Sequence, residues 1–480
     1  MQLAWIDLLP QILLAGGGFL IFCLGGFWKK RPQGLLFGVA LAVAIGSGAA
    51  ALLLEPREPR FLSMFETGGY GRFFTLLISL IITLSLLFSY QYAKSREMGG
   101  DEFYGLLLLS GLGMTLAAGA THWLILFLGL ETLSLALYIL IAIRKRQPAS
   151  NEAGLKYFIM GAVSSSFFTF GIAIVYAMTG KMDILQSLSP GTQTVSTPGL
   201  LVGLSLILIG IGFKVSMVPF HLWTPDVYQG APSPVTAFLA AGSKVALFAA
   251  LLRMVYYVSG NPSWTYYGVV LWILAFLTMT VGNITALVQS RVKRLLAYSS
   301  IAQMGYLLMT LLAVRKGGVA AIMFYLTVYA LMDLGAFGTL ATLSGEEEDL
   351  DVLDHFKGLA YLRPWRSALL TVCLISLAGL PPMAGFIGKF ILFRAVLEAR
   401  FVVLAVLGMV TVIVSIYFYF KVIVTLFMQP MGRKPVTPDL DIFARIAGFI
   451  VLLLILGLGL LPSPLLSILV RILPLTLQPG

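Results

Sequence analysis

Charge is scarce in this chain. Of its 480 residues, 11% are charged and 59% hydrophobic, whereas a soluble domain devotes roughly a quarter of its residues to charge. So little charge cannot clothe a solvated surface, so the composition describes an integral membrane protein. Cysteine is almost absent: Cys23 and Cys373 lie in separate apolar stretches with no CxxC or Cys/His spacing. That pattern indicates neither a disulfide framework nor an iron-sulfur or metal site, and packing is the role expected of both. Histidine occurs three times, and His221 has no second histidine or clustered acids close to it in sequence, which argues against a metal site there. Walker A, Rossmann glycine and haem-attachment signatures are missing, so the chain is expected to hold no nucleotide or redox centre of its own. Energy for any work it does must come from elsewhere.

What the sequence has is long apolar runs. Stretches of about twenty residues, enough to span a bilayer, lie near 4–27, 34–54, 73–94, 103–120, 123–143, 153–178, 200–229, 233–257, 266–288, 293–314, 317–343, 367–399, 402–429 and 442–462. The expected fold is therefore an all-α polytopic membrane protein with about 14 transmembrane helices. The first run, Trp5 to Phe27, is too long for a signal-peptide core and has no small-residue cleavage site, so it reads as a retained helix. A net charge of +11 raises nucleic acid as a partner, but the basic residues sit in short inter-helix loops, where topology accounts for them. Lys29-Lys30-Arg31, Lys94/Arg96, Arg144-Lys145-Arg146, Arg291/Lys293/Arg294, Lys357/Arg363/Arg366 and Arg433-Lys434 all follow odd-numbered helices. By the positive-inside rule those loops are cytoplasmic and both termini lie on the opposite side. The loop from Glu55 to Arg72 departs from the rule, with three arginines against three glutamates.

Two runs are interrupted. Helix 7 contains Lys214-Val215-Ser216-Met217-Val218-Pro219-Phe220-His221-Leu222-Trp223-Thr224-Pro225, and helix 12 contains Gly379-Leu380-Pro381-Pro382 followed closely by Lys389. Proline removes a backbone donor and disfavours continued helix. Broken helices in corresponding positions point to an ion pathway between inverted repeats. Helices 4–8 and 9–13 would form two such five-helix units, the odd number of crossings inverting the second. The expected divisions are 1–102 for the first three helices, 103–257 and 266–429 for the repeats, and 442–480 for helix 14 and the tail. The symmetry is imperfect, since Lys214 precedes its break and Lys389 follows its own.

Four ionisable groups stand out by depth: Glu131, Lys214, Lys244 and Lys389 fall near the middle of separate apolar stretches. In hydrocarbon each would lose several kcal/mol of hydration, roughly 3 or more, unless it faces a bundle interior, a wet cavity or an opposite charge. Glu131 is about 12 Å into its run and Lys244 about 16 Å into its own, at 1.5 Å per residue. Buried lysine and glutamate can exchange protons where arginine stays charged, so proton or cation movement is the default reading. The plain alternative is a salt bridge that locks helices together. Lys156, nearer a helix end, reads equally as a snorkelling anchor or a pathway residue. His221, at the break, reads equally as a helper on a water chain or a structural hydrogen-bonding group. Asp333 in helix 11 has no sequence partner and no assigned role.

Several segments are longer and more specific: Gly129-Leu-Glu131-Thr-Leu-Ser-Leu-Ala-Leu-Tyr138, Glu152-Ala-Gly-Leu-Lys156-Tyr-Phe158, Phe220-His221-Leu-Trp223-Thr-Pro225-Asp226 through Thr236, Arg294-Leu-Leu-Ala-Tyr298-Ser-Ser300, and Leu380-Pro381-Pro382-Met-Ala-Gly-Phe-Ile-Gly-Lys389-Phe390. By these the chain resembles the antiporter-like membrane subunits of respiratory complex I over nearly its full length. It is most similar to the N type: Lys389 stands where M-type subunits typically carry glutamate, and no long lateral helix of the L type follows helix 14. The resemblance implies a proton-translocating subunit of NADH:quinone oxidoreductase, with Glu131 and Lys214 as paired acid and base. It casts Lys244 as the connecting residue and Lys389 as the far-side carrier. It places NADH, flavin, iron-sulfur clusters and quinone in or between partner subunits, and gives as partners the other membrane subunits, the peripheral redox arm, the lipid of a bacterial-type cytoplasmic membrane, protons and water. Gln303 departs from relatives that commonly have histidine there, and glutamine cannot titrate. A sodium/proton antiporter subunit is the rival reading, and a non-transporting scaffold the second.

Overall fold

A computed structural model describes residues 5–27, 33–54, 60–188, 197–260, 264–344, 349–428 and 441–476. The basic clusters at 29–31 and 433–434, with Glu55, Arg57 and Glu58, lie outside the described residues. Helices α1 (Leu9–Phe27), α2 (Gln33–Leu53), α3 (Gly69–Ser95), α4 (Asp101–Gly119), α5 (Trp123–Ile141) and α6 (Pro148–Thr179) are followed by the short α7 (Ile184–Leu188). Next come α8 (Thr197–Lys214), α9 (Trp223–Gly230), α10 (Ser233–Phe238), α11 (Lys244–Val258), α12 (Trp264–Leu287), α13 (Val292–Leu311) and α14 (Val319–Leu343). The chain ends with α15 (Leu359–Leu362), α16 (Pro364–Ala378), α17 (Ala384–Glu398), α18 (Val402–Met428), α19 (Ile442–Leu460) and α20 (Ser463–Thr476). Among the described residues, strand is confined to the antiparallel pair Arg60–Phe61 and Phe65–Glu66.

Helix prevails because lipid offers no hydrogen-bond partners, so each crossing must satisfy its own backbone. Eleven helices among the described residues are long and apolar enough to cross a membrane. Each of the fourteen apolar runs falls on helix. The differences lie where polarity interrupts. Run 7 is divided into α8 and α9, and run 12 into α16 and α17, around the prolines. Run 10, α13, is less apolar because it carries Lys293, Arg294, Ser299, Ser300 and Gln303, and protein covers almost all of it. Run 8 is continuous from Ser233 to Val258 but passes through a π-helical turn at Leu239–Ser243, immediately before Lys244. A single widened turn of this kind recurs at functional sites.

Burial orders the bundle. The apolar window of Ser233–Val258 is 100% covered by protein and that of Val314–Leu343 94%, while those of α6, α18 and α19 are covered by a third or less. The span Ser233–Val258 and α14 therefore form the centre, packed against each other, and the outer helices present leucine, isoleucine and phenylalanine outward. At one end of the bundle the buried Glu66 carboxylate meets Arg253 Nη2 at 2.5 Å, and Arg253 also donates to the Ala120 carbonyl at 2.6 Å. Arg72 caps the end of α2 through the Ala51 and Leu52 carbonyls. Two charges of the exceptional second loop are thus taken up in structural contacts.

Candidate functional site

The two broken helices create the acceptors that the buried lysines use. A helix leaves its last carbonyls without intrahelical partners. At Lys214 α8 stops, Ser216 turns into the left-handed region (φ 65°), and α9 begins only at Trp223. Lys244, 0% exposed, sends its Nζ across to the freed Lys214 carbonyl at 3.1 Å and to the Ser216 hydroxyl. Thr224 orients that hydroxyl at 2.7 Å, and the Trp223 ring lies 5.2 Å from the ammonium.

The second break repeats the arrangement with different residues. At Ala378 α16 stops and Gly379 adopts φ 81°, a conformation that favours glycine, and a Cβ there would lie 2.8 Å from Lys389 Cδ and push the lysine side chain aside. Lys389, 4% exposed, donates to the Leu377 carbonyl at 2.7 Å and the Ala378 carbonyl at 3.3 Å, and its ammonium sits 5.3 Å from the Tyr306 ring centre. In both halves a lysine ammonium occupies the carbonyl end of a broken helix, where the helix dipole favours a cation.

Lys214 and Glu131 share a region without touching. Lys214 Nζ donates to Ser134 Oγ at 2.6 Å, and Ser134 lies three residues along α5 from Glu131. Glu131 accepts from Ser165 Oγ at 2.5 Å and borders an open groove lined by Phe127, Ser166, Thr169 and Phe170. No ion pair within 4.0 Å joins acid and base. Lys156 sits apart from the buried lysines: its side chain is 43% exposed, pairing with Glu152 at 2.7 Å and Asp226 at 2.8 Å. Asp226 also holds Arg294 at 2.6 Å. His221 is 8% exposed in the first break, and its Nδ1 has no hydrogen-bond partner.

A polar cluster that sequence reading did not assemble fills the second half. Gln303 donates to the Leu377 carbonyl at 3.3 Å, so Gln303 and Lys389 share one oxygen. Gln303 also donates to Tyr419 at 3.2 Å and accepts from Tyr325, while Tyr419 meets Ser299. Beyond Lys389, Tyr306 contacts Asn283 at 3.0 Å and Thr411 at 3.1 Å. Tyrosine in an apolar helix was the available signal for this cluster, but hydropathy treats its ring as one more apolar residue.

One contrast separates these lysines from the structural cations. Arg253, Lys293 and Arg96 each pair with a carboxylate, whereas Lys214, Lys244 and Lys389 are held only by carbonyls and hydroxyls. An amine bonded to neutral acceptors can lose its proton without leaving a carboxylate stranded. Among the described residues no group of three or more His, Cys, Asp or Glu is placed to hold a metal ion.

Comparison with known proteins gives this geometry its setting. The family described as NADH:quinone oxidoreductase/Mrp antiporter, TM, matches residues 120–415, which include both breaks and Lys214, Lys244 and Lys389. NADH-quinone oxidoreductase subunit N 1 of Solidesulfovibrio magneticus is 43% identical over 471 residues, covering 95% of this chain and 96% of the relative. A chain of the respiratory complex I of Thermus thermophilus, solved with bound aureothin, superposes with a TM-score of 0.81 at 35% identity, covering 95% of this chain and 98% of its own. A chain of the Mrp complex from a Dietzia species has a TM-score of 0.86 at 20% identity over 100% of this chain and 98% of that one, a likeness of fold alone. On the family match and the full-length identity together, the chain belongs to the NADH:quinone oxidoreductase/Mrp antiporter membrane family, among the subunits N of NADH-quinone oxidoreductase.

Proposed function

We propose that this chain moves protons across a bacterial-type cytoplasmic membrane as the N-type subunit of a proton-translocating NADH:quinone oxidoreductase. Redox chemistry takes place in companion subunits, which hold the nicotinamide, flavin, iron-sulfur and quinone sites. On this reading the chain crosses the bilayer fourteen times with both termini on the non-cytoplasmic side. Helices 4–8 and 9–13 act as inverted repeats, within the divisions 1–102, 103–257, 266–429 and 442–480.

The observation that carries the reading is the set of three buried lysines without counter-ions. Glu131 and Lys214 form the acid and base of the first half-channel, communicating through Ser134 rather than by direct contact. Lys244 connects the halves, and Lys389 is the carrier of the second. His221 assists at the first break, where its Nδ1 is open to a further donor. The position of Lys156 favours a role at the rim, in contact with Asp226, over one in the buried axis. A scaffold would pair its buried cations with acids, as Arg253 and Lys293 are paired.

Isolation from native membranes tests the assignment. The expected outcome is co-purification with a large assembly that oxidises NADH with quinone. Purification as a free chain that exchanges sodium for protons in liposomes would overturn it in favour of an antiporter.

A further inference from the structure

The route described so far has a gap: Lys244 contacts only the first half, and Gln303, at the threshold of the second, cannot carry a proton. Asp333 lies in the central helix α14, is 0% exposed, and neither carboxyl oxygen meets a well-aligned hydrogen-bond donor, although the Tyr329 hydroxyl lies close enough to act on it. Burying a polar group without a partner costs on the order of 1–3 kcal/mol, and more for a charge. Such a group in so well-covered a position calls for a role.

Its surroundings indicate which. The groups that act electrostatically with Asp333 come from each side of the interface between the halves. Lys244 belongs to the span Ser233–Val258 and Tyr228 to α9, while Tyr325 and Tyr329 share α14 with Asp333. Tyr419 comes from α18 and Cys373 from α16. Tyr329 reaches Ser300 at 2.7 Å and the Ala240 carbonyl at 3.3 Å, within the π turn before Lys244. Asp333 and Lys244 are more than 4.0 Å apart, since the amine is turned towards the helix 7 break. A lysine side chain has rotatable bonds enough to alternate between two such acceptors.

We propose that Asp333 is the relay carboxylate between the two halves, receiving a proton from Lys244 and delivering it to the Tyr325–Tyr419–Lys389 side. In the first step the Lys244 Nζ–H bond breaks and an Asp333 O–H bond forms, leaving a neutral amine and a neutral acid. In the second the Asp333 O–H breaks and each phenol hydroxyl gives up its own proton as it takes one, so that an N–H bond forms on a neutral Lys389 amine at the end of the chain and the Asp333 carboxylate is restored for the next transfer. No oxidant or other reactant is needed. Gln303 positions the phenols of Tyr325 and Tyr419 and takes no proton itself.

This inference rests on the proton-conducting reading, so the test runs both together in the complete reconstituted complex. Asp333→Asn, Asp333→Glu, Lys244→Met and the double variant Asp333→Asn/Lys244→Met are compared for protons moved per electron. Asp333→Asn should lower the ratio as far as Lys244→Met does, Asp333→Glu should restore it, and the double variant should be no worse than either single one. If Lys244→Met loses pumping while Asp333→Asn keeps the wild-type ratio, the relay is overturned and the proton-conducting reading stands. If both keep it, the reading itself fails. Should Asp333→Asn not assemble, infrared difference spectra during turnover decide between wild type and Asp333→Glu. A carboxyl band that moves with the Asp-to-Glu change supports the relay, and the absence of such a band overturns it.

Discussion

Replacing Asp349 should do more damage to stability than any other single polar change on the basic face of the bundle. Its Oδ1 accepts from Tyr92 at 2.7 Å and Arg96 at 3.1 Å, and its Oδ2 from Ser233 at 2.7 Å and Lys293 at 2.9 Å. Arg96 and Lys293 are only 3% and 2% exposed at their side chains, so neither can turn to water for compensation. The cluster ties the end of α3 and the start of α10 to the start of α13, joining the two halves at one face. Asp349→Asn keeps the size but removes the charge that both cations face. Removing one partner of a buried pair costs about 3–5 kcal/mol, roughly two to four powers of ten in the folded population at 1.4 kcal/mol for each. Burial by itself would raise the Asp349 carboxyl, but Lys293 and Arg96 hold it well below the usual carboxylate range. A depressed value means its stabilisation is fully present above the unfolded carboxyl's titration near about 3.9, and fades only as pH falls through the lower folded value. Membrane levels and the melting of the purified complex should therefore drop for Asp349→Asn, by an amount that stays flat from about pH 6 to 8. Replacing the whole cluster, with Arg96→Met and Lys293→Met added to Asp349→Leu, should recover much of the loss, because an apolar substitute leaves no stranded charge. Wild-type melting of Asp349→Asn, or a triple variant worse than the single one, would refute the reasoning.

Three further outcomes follow from the same contacts. Gln303→Leu should leave the Tyr325 hydroxyl without its acceptor, at about 1–3 kcal/mol for a buried group left unsatisfied, while Tyr419 keeps Ser299, and should cut coupled turnover; Gln303→His should retain it, as turnover in vesicles will show. Ser134→Ala should impair pumping more than assembly, because it removes the 2.6 Å contact of Lys214 and nothing from an ion pair; equal losses of both would count against its place between Lys214 and Glu131. Lys156→Ala should cost no more than about 1 kcal/mol in melting assays, since its pairs are exposed and Asp226 keeps Arg294.

Much of the fold was legible because the bilayer imposes a length and a polarity that sequence records directly. The fourteen runs, the two breaks at Pro219 and Pro381-Pro382, and the depth of Lys214, Lys244 and Lys389 all follow from composition along the chain. What the sequence concealed was contact. Nothing in Leu239-Ala-Ala-Gly-Ser243 announces the π turn that precedes Lys244, and nothing in the sequence shows that Ser134, one turn along α5 from Glu131, sits beside the Lys214 amine. Asp349 was lost in the acidic run that begins at Glu346, where charge suggests a solvated loop rather than a buried hub. Asp226 stood inside a recognised segment, yet its partners Lys156 and Arg294 lie 70 and 68 residues away. Only the folded chain relates them.

The central claim is that buried lysines without counter-ions carry protons, and Lys389 tests it most directly. Lys389→Arg keeps a cation at the carbonyl end of α16, where Leu377 and Ala378 accept it, but arginine does not release a proton at physiological pH. The measurement is protons moved per electron by the reconstituted complex carrying Lys389→Arg, with assembly checked in the same preparation. The account predicts normal assembly with a lowered ratio. A wild-type ratio from the arginine variant, alongside failed assembly of Lys389→Ala, would show that Lys389 is a structural cation and contradict it.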